Sequence, residues 1–134
     1  MTRFELRIAD LMTTAVTTVN ADSPVTGAYA EMQVGMIRHL PVVDDARRLV
    51  GVLSDRDVLR SKGTRKRRIA EVMTRDVITV NPQAPAAEAA ALMLEHNISS
   101  VLVVDDAGTL VGVVTMTDYV DLARRSLLGL PLER

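Results

Sequence analysis

Short apolar runs alternate with polar turns along this chain in an order that occurs twice. Leu40-Pro41-Val42-Val43 and Leu49-Val50-Gly51-Val52-Leu53 flank the polar stretch Asp44-Asp45-Ala46-Arg47-Arg48. Val101-Leu102-Val103-Val104 and Leu110-Val111-Gly112-Val113-Val114 flank Asp105-Asp106-Ala107-Gly108 in the same way. Continuous β-branched runs of this length predict strands buried on both faces. Shorter runs at Val16-Thr17-Thr18-Val19 and Val77-Ile78-Thr79-Val80 predict a further strand ahead of each pair. Asp22-Ser23-Pro24 reads as a helix start, with Ser23 as cap and Pro24 at the first helical position, and that helix runs to about Val34. Its counterpart starts at Pro85 and continues through the Ala-rich, high-propensity stretch to Leu94. A second helix follows each strand pair, from about Asp55 and from Met116. Each half is therefore a β-α-β-β-α unit, and the fold class is mixed α/β.

The two halves match at a fixed offset of 61 residues with no gap: 23 of the 51 positions from Ile8 to Val58 are identical to their partners. Unrelated segments would share about four. Ile8-Ala9-Asp10-Leu11-Met12-Thr13 returns as Ile69-Ala70-Glu71-Val72-Met73-Thr74. The expected organisation is a first motif over 8–60, a polar linker over 61–68, a second motif over 69–121, and a helix end and tail over 122–134. A unit of roughly 60 residues is marginal alone, so the copies are expected to pack about a pseudo-two-fold axis and share a core.

Composition narrows the function. Cysteine is absent, which removes disulfides, thiolate nucleophiles and zinc–thiolate sites. Sixteen basic against seventeen acidic residues argue against wholesale nucleic-acid binding, and three aromatics (Phe4, Tyr29, Tyr119) cannot build a base-stacking platform. No signal peptide or membrane span is legible, so a soluble, cytoplasmic protein is expected. His39 and His96 lack metal-ligand spacing, and no Ser-His-Asp, Gly-x-Ser-x-Gly or Walker-type pattern supports catalysis. The Asp pairs 44–45 and 105–106 fall in turns, where Asp is ordinary turn chemistry. Arg65-Lys66-Arg67-Arg68 reads as a solvated stretch of the linker.

The chemically suggestive feature lies where the last strand of each unit meets its second helix. Gly51-Val52-Leu53-Ser54-Asp55-Arg56-Asp57 returns as Gly112-Val113-Val114-Thr115-Met116-Thr117-Asp118. Each places a hydroxyl at the helix N-cap and a carboxylate three residues on. One reading is a capping box, worth about 1 kcal/mol. The other is a ligand site, with phosphate at the helix start and a ribose diol on the carboxylate. The two can coexist.

This motif, preceded by Met-Thr and by Leu40-Pro41-Val42-Val43-Asp44, resembles the CBS domain, named after cystathionine β-synthase. The resemblance covers about residues 8 to 121 as two tandem CBS motifs. It implies a regulatory module, not an enzyme, that takes AMP, ADP, ATP or S-adenosylmethionine as a regulatory ligand and uses no catalytic cofactor or metal. It further implies that Ser54 and Thr115 contact phosphate and that Asp57 and Asp118 hold ribose. The implied adenine pockets comprise Val16, Thr17, Ile37, Arg38 and His39, with Val77, Ile78, Ile98, Ser99 and Ser100 in the copy. The copies differ at these places: Arg56 becomes Thr117, Asp55 becomes Met116, and Arg38-His39 becomes Ser99-Ser100. Positive charge suited to phosphate is thus expected at the first site only. With no second domain in the sequence to regulate, the output is expected in an unidentified partner protein or in a homodimer, packed through the Pro85–Leu94 helix. The alternative is a ligand-free dimerisation scaffold of the same fold.

Overall fold

The computed structural model describes residues 5–35, 38–60 and 67–132. In chain order the elements are α1 (Ile8–Leu11), β1 (Val19–Asn20), α2 (Val25–Gly35), β2 (His39–Val43), β3 (Leu49–Ser54), α3 (Asp55–Arg60), α4 (Ile69–Val72), β4 (Thr79–Val80), α5 (Ala86–His96), β5 (Ser100–Val104), β6 (Leu110–Thr115) and α6 (Met116–Leu127). They form two three-stranded sheets, β1-β2-β3 and β4-β5-β6. In each, the short first strand runs parallel to the second, with Val19 opposite Val42 and Thr79 opposite Leu102. A parallel neighbour needs a crossover, and α2 and α5 supply it. β2 then returns antiparallel as β3, with His39 opposite Ser54. The β-α-β-β-α order expected from the apolar runs is observed, preceded in each repeat by a short helix, α1 or α4, that was not expected.

The chain divides into two compact units, and the division does not follow the repeats. One unit holds the sheet of the first repeat and spans Thr17–Val77, with Ala107–Leu110. The other holds the sheet of the second repeat (Ile78–Asp106 and from Val111 onward) together with the chain up to Val16. The opening segment of each repeat therefore packs with the sheet of the other, and both exchanges fall at equivalent places, after Val16 and after Val77.

Hydrogen bonds fix these segments. The Ile8 and Ala9 amides donate to the Ala84 and Pro82 carbonyls, both at 2.9 Å. The Ile69 and Ala70 amides donate to Ser23 and Ala21, again at 2.9 Å. Apolar burial adds to this. Ile8 and Leu11 join the core made by Val80, Ala89, Met93, Val101, Val103 and Val114. Ile69 joins the other core, with Val19, Val25, Ala28, Met32, Leu40, Val42 and Leu53. Two cores thus replace the single shared one expected, each containing an isoleucine from the other repeat. Burying an isoleucine fully is worth about 1.5–3 kcal/mol, so the exchange contributes substantially to each unit.

The same segments account for a correction at the helix starts. Ser23 was expected to cap α2 with Pro24 as its first residue; the helices instead begin one residue later, at Val25 and Ala86. The first helical amides donate to backbone carbonyls of the exchanged segments, Val25 to Arg67 at 3.1 Å and Ala86 to Leu6 at 2.8 Å. Pro24 is held extended by a bridge to Arg68, and Pro85 by one to Arg7. A partner more than forty residues away does what a local hydroxyl was expected to do. The first strands are also shorter than expected, because pairing starts only at Val19 and Thr79.

Candidate functional site

Each unit carries one strand-to-helix corner. In the first, β3 ends at Ser54 and α3 begins at Asp55. The Ser54 amide donates to Asp57 Oδ2 at 2.9 Å, and the Asp57 amide donates to Ser54 Oγ at 3.1 Å. In the second, the Thr115 amide donates to Asp118 Oδ2 at 2.8 Å, and the Asp118 amide donates to Thr115 Oγ1 at 3.4 Å. The Thr115 hydroxyl also donates to Asp118 Oδ2, at 3.2 Å. Both corners are reciprocal capping boxes, which satisfy amides that a helix N-terminus otherwise leaves orphaned.

The caps do not exhaust these groups. Asp57 and Asp118 are each only 8% exposed, and they are the buried charged residues of the two units among those described. A carboxylate has about four acceptor positions and a hydroxyl can donate while it accepts, so Ser54 and Asp57 retain capacity beyond the cap, whereas the Thr115 proton is already given to Asp118.

The expected site residues are brought together unevenly. The Arg38 carbonyl accepts from the Asp55 amide at 2.9 Å, and His39 lies opposite Ser54, so Arg38, His39, Ser54, Arg56 and Asp57 share one corner. Arg38, His39 and Arg56 are all exposed. Ser99 makes the equivalent contact, its carbonyl accepting from the Met116 amide at 2.9 Å, and Ser100 opens β5. Ile98 packs against the core of that unit. Thr17 and Val77 belong to the unit of the first corner, and Val16 and Ile78 to the unit of the second. The valines thus stand with the opposite sheet from the one their own repeat implies. Ile37 lies outside the described residues.

Two Met-Thr pairs, not expected at the site, brace the corner strands. The Val52 amide donates to the Thr74 carbonyl at 2.8 Å and the Thr74 amide donates back at 2.9 Å. Thr13 and Val113 form the same reciprocal pair at 2.9 and 3.0 Å. The available signal was the return of Met12-Thr13 as Met73-Thr74, which marked the repeat without revealing its partner.

Other candidates resolve into structural roles. Asp44 Oδ1 accepts from the Ala46 and Arg48 amides, both at 2.9 Å, and Oδ2 accepts from Arg48 Nε at 3.0 Å. The Arg48 amide, with the guanidinium in support, holds the Asp44 carboxyl below the usual carboxylate range. Asp45 and Asp106 accept from Asn20 and Asn81 at 2.9 and 2.8 Å. Of the basic linker, Arg65 and Lys66 lie outside the described residues, while Arg67 pairs with Glu71 at 3.5 Å and Arg68 with Asp22 at 3.9 Å. Among the described residues no group of three His, Asp or Glu could hold a metal ion, and no helix is long and apolar enough to cross a membrane.

Comparison with known proteins converges on one family. The CBS domain profile matches residues 8–63 and again 69–125. MJ1404 of Methanocaldococcus jannaschii, an uncharacterized protein, is 36% identical over 104 residues, covering 75% of this chain and 25% of its own. The chain spans a quarter or less of the length of the first curated relatives it matches. The CBS domain pair of protein MJ0100, solved with 5′-methylthioadenosine and S-adenosyl-L-methionine, superimposes with a TM-score of 0.73 at 32% identity, over 91% of this chain and 98% of that one. CBSX2, solved with AMP, gives 0.79 at 28% identity, over 90% and 98%. The cytosolic domain of the Mg2+ channel MgtE, solved with ATP, gives 0.74 at 32%, over 84% and 46%. The chain belongs to the CBS-domain family and carries two of these domains in tandem.

Proposed function

We propose that the chain is a regulatory module that binds an adenosine-containing ligand at its strand-to-helix corners. The observation that carries this reading is the pair of buried carboxylates, Asp57 and Asp118, each beside a hydroxyl at the end of a strand. Desolvating a carboxylate is costly, and a capping box worth about 1 kcal/mol is available to an exposed one. A buried acceptor suits the two hydroxyls of a ribose, which would replace lost water with charge-assisted hydrogen bonds. Solved family members that hold AMP, ATP, 5′-methylthioadenosine and S-adenosyl-L-methionine support the same ligand class.

In this reading Ser54 keeps its cap and turns its hydroxyl proton toward phosphate, while Thr115 redirects to phosphate the proton it otherwise gives to Asp118 Oδ2. Asp57 and Asp118 take the ribose. Val16, Thr17, Ile37, Arg38, His39, Val77, Ile78, Ile98, Ser99 and Ser100 contact adenine. Arg38, His39 and Arg56 favour a phosphate-rich ligand at the first corner, whereas Met116 and Thr117 offer the second an adaptable, uncharged surface. Regulation is linkage: the ligand favours one conformation and so changes affinity for a partner or for a second copy of the chain. No catalytic step is assigned.

A thermal-shift series tests the ligand class. A ligand at about 100 times its dissociation constant stabilises the folded state by about 2.7 kcal/mol, a melting shift on the order of 10 °C for a chain of this size. AMP, ATP or S-adenosylmethionine should produce it, and GTP or a pyrimidine nucleotide much less. Negligible shifts with every adenosine compound at millimolar concentration favour the ligand-free scaffold.

A further inference from the structure

Gly51 and Gly112 are both buried, and both are roofed by a methionine. A Cβ built on Gly51 would lie 2.7 Å from Met73 Sδ and 2.7 Å from the Thr74 carbonyl oxygen. One built on Gly112 would lie 2.8 Å from Met12 Sδ and 2.9 Å from the Thr13 carbonyl. In each unit a thioether therefore occupies the space of the missing side chain. The next residue of each segment makes the reciprocal bridge to Val52 or Val113. The same arrangement in both copies, to within 0.2 Å, marks it as built into the fold.

We propose that Met73 and Met12 are paired oxidation sites that latch the exchanged segments to β3 and β6, and that peroxide opens the latch. Met12 and Met73 are partly exposed residues that pack at the edges of the two cores, whereas Met32 and Met93 are buried within them. A peroxide reaches the sulfur, its O–O bond breaks, an S–O bond forms, and the other oxygen leaves as water. The sulfur is oxidised by two electrons and the peroxide is reduced by two. The product carries a polar oxygen on an atom already at van der Waals contact with glycine, and it loses the flexible apolar character that let methionine fill the gap. Packing that tight does not absorb an extra heavy atom without movement. The Met-Thr segment is what moves, because Gly51 and Gly112 are fixed within their strands. β3 and β6 end at Ser54 and Thr115, so the bridged residues Val52 and Val113 lie two residues before the corner hydroxyls, and the latch passes a redox signal toward them. Reduction by methionine sulfoxide reductases closes the latch again.

Graded treatment of the full chain with hydrogen peroxide tests the proposal, with mass spectrometry assigning oxygen to each methionine and hydrogen exchange reading the bridges. Met116, 48% exposed, serves as the internal gauge of dose. At doses that saturate Met116, Met12 and Met73 should become sulfoxides while Met32 and Met93 lag. Exchange at the Thr13, Val113, Val52 and Thr74 amides should rise at least tenfold, and reductase treatment should restore it. Met12→Leu/Met73→Leu should exchange like the reduced protein and ignore peroxide. If that variant does not fold, the wild-type experiment decides alone, since the site of each oxygen is known. Sulfoxide at both positions with unchanged exchange overturns the proposal, and so does protection of Met12 and Met73 to the level of Met32. A peroxide response that persists in a folded double-leucine variant overturns it too.

Discussion

Asp57 serves as a cap partner in the structure and as a ribose acceptor in our reading, and one substitution separates the two roles. In Asp57→Asn the amide oxygen still accepts from the Ser54 amide, so the cap survives in weakened form. Stability should fall by about 1 kcal/mol or less. A diol loses its charged acceptor, and charge-assisted bonds are about twice as strong as neutral ones, so adenine-nucleotide affinity should drop by about tenfold or more. Calorimetry for affinity and urea melts for stability measure the two effects independently; unchanged affinity in a folded variant removes Asp57 from the site. Gly51 poses a packing question at the same scale. Gly51→Ala places its methyl against Met73 Sδ and a backbone oxygen, and overpacking of this kind costs about 1–3 kcal/mol. Gly112→Ala should cost a similar amount, and equilibrium denaturation of the two variants checks both.

At the scale of elements, the two copies are stabilised differently. Tyr119, in the first turn of α6, donates to the Ala86 carbonyl at the start of α5 at 2.6 Å. Val58 occupies the equivalent place in α3 and has no hydroxyl. Burial, with the Asp118 charge adding to it, pushes the Tyr119 phenol up to about 12 from an ordinary 10.0. A raised folded value means that the neutral form is preferred in the fold. The stabilisation is complete below pH 10, where both states are neutral, and is lost as pH rises from 10 toward 12 and the unfolded chain ionises first. Wild type should therefore lose more stability than Tyr119→Phe between about pH 9 and pH 12. Parallel urea melts of the two proteins check this, and equal losses refute the assignment.

Much of this level was legible in the sequence. The β-branched runs around Asp44-Asp45 and Asp105-Asp106 gave both hairpins, because period and turn chemistry are local. The hydroxyl–carboxylate spacing at Ser54/Asp57 and Thr115/Asp118 gave both corners for the same reason. The helix starts were misplaced by one residue because their cap comes from the Arg67 and Leu6 carbonyls. No local pattern encodes that, since a backbone carbonyl looks alike in every residue. The role of Met73 was hidden likewise, because its partner Gly51 belongs to another stretch of chain.

For the molecule as a whole, the exchange of Ile8 and Ile69 between repeats ties each unit to both halves of the sequence. Neither half contains a complete core, so in our reading a ligand at one corner would stabilise a unit assembled from both repeats. On that reading, unequal corners on such a scaffold would let one chain respond to two adenosine ligands, with the charged Arg38 and Arg56 drawing the more highly phosphorylated one. Calorimetric titration of ATP into wild type, Asp57→Ala and Asp118→Ala tests this most directly. The account predicts binding by wild type, loss of most of it in Asp57→Ala, and a measurable site remaining in Asp118→Ala. No binding of ATP, AMP or S-adenosylmethionine to folded wild type at millimolar concentration, or equal loss from the two substitutions, would contradict it.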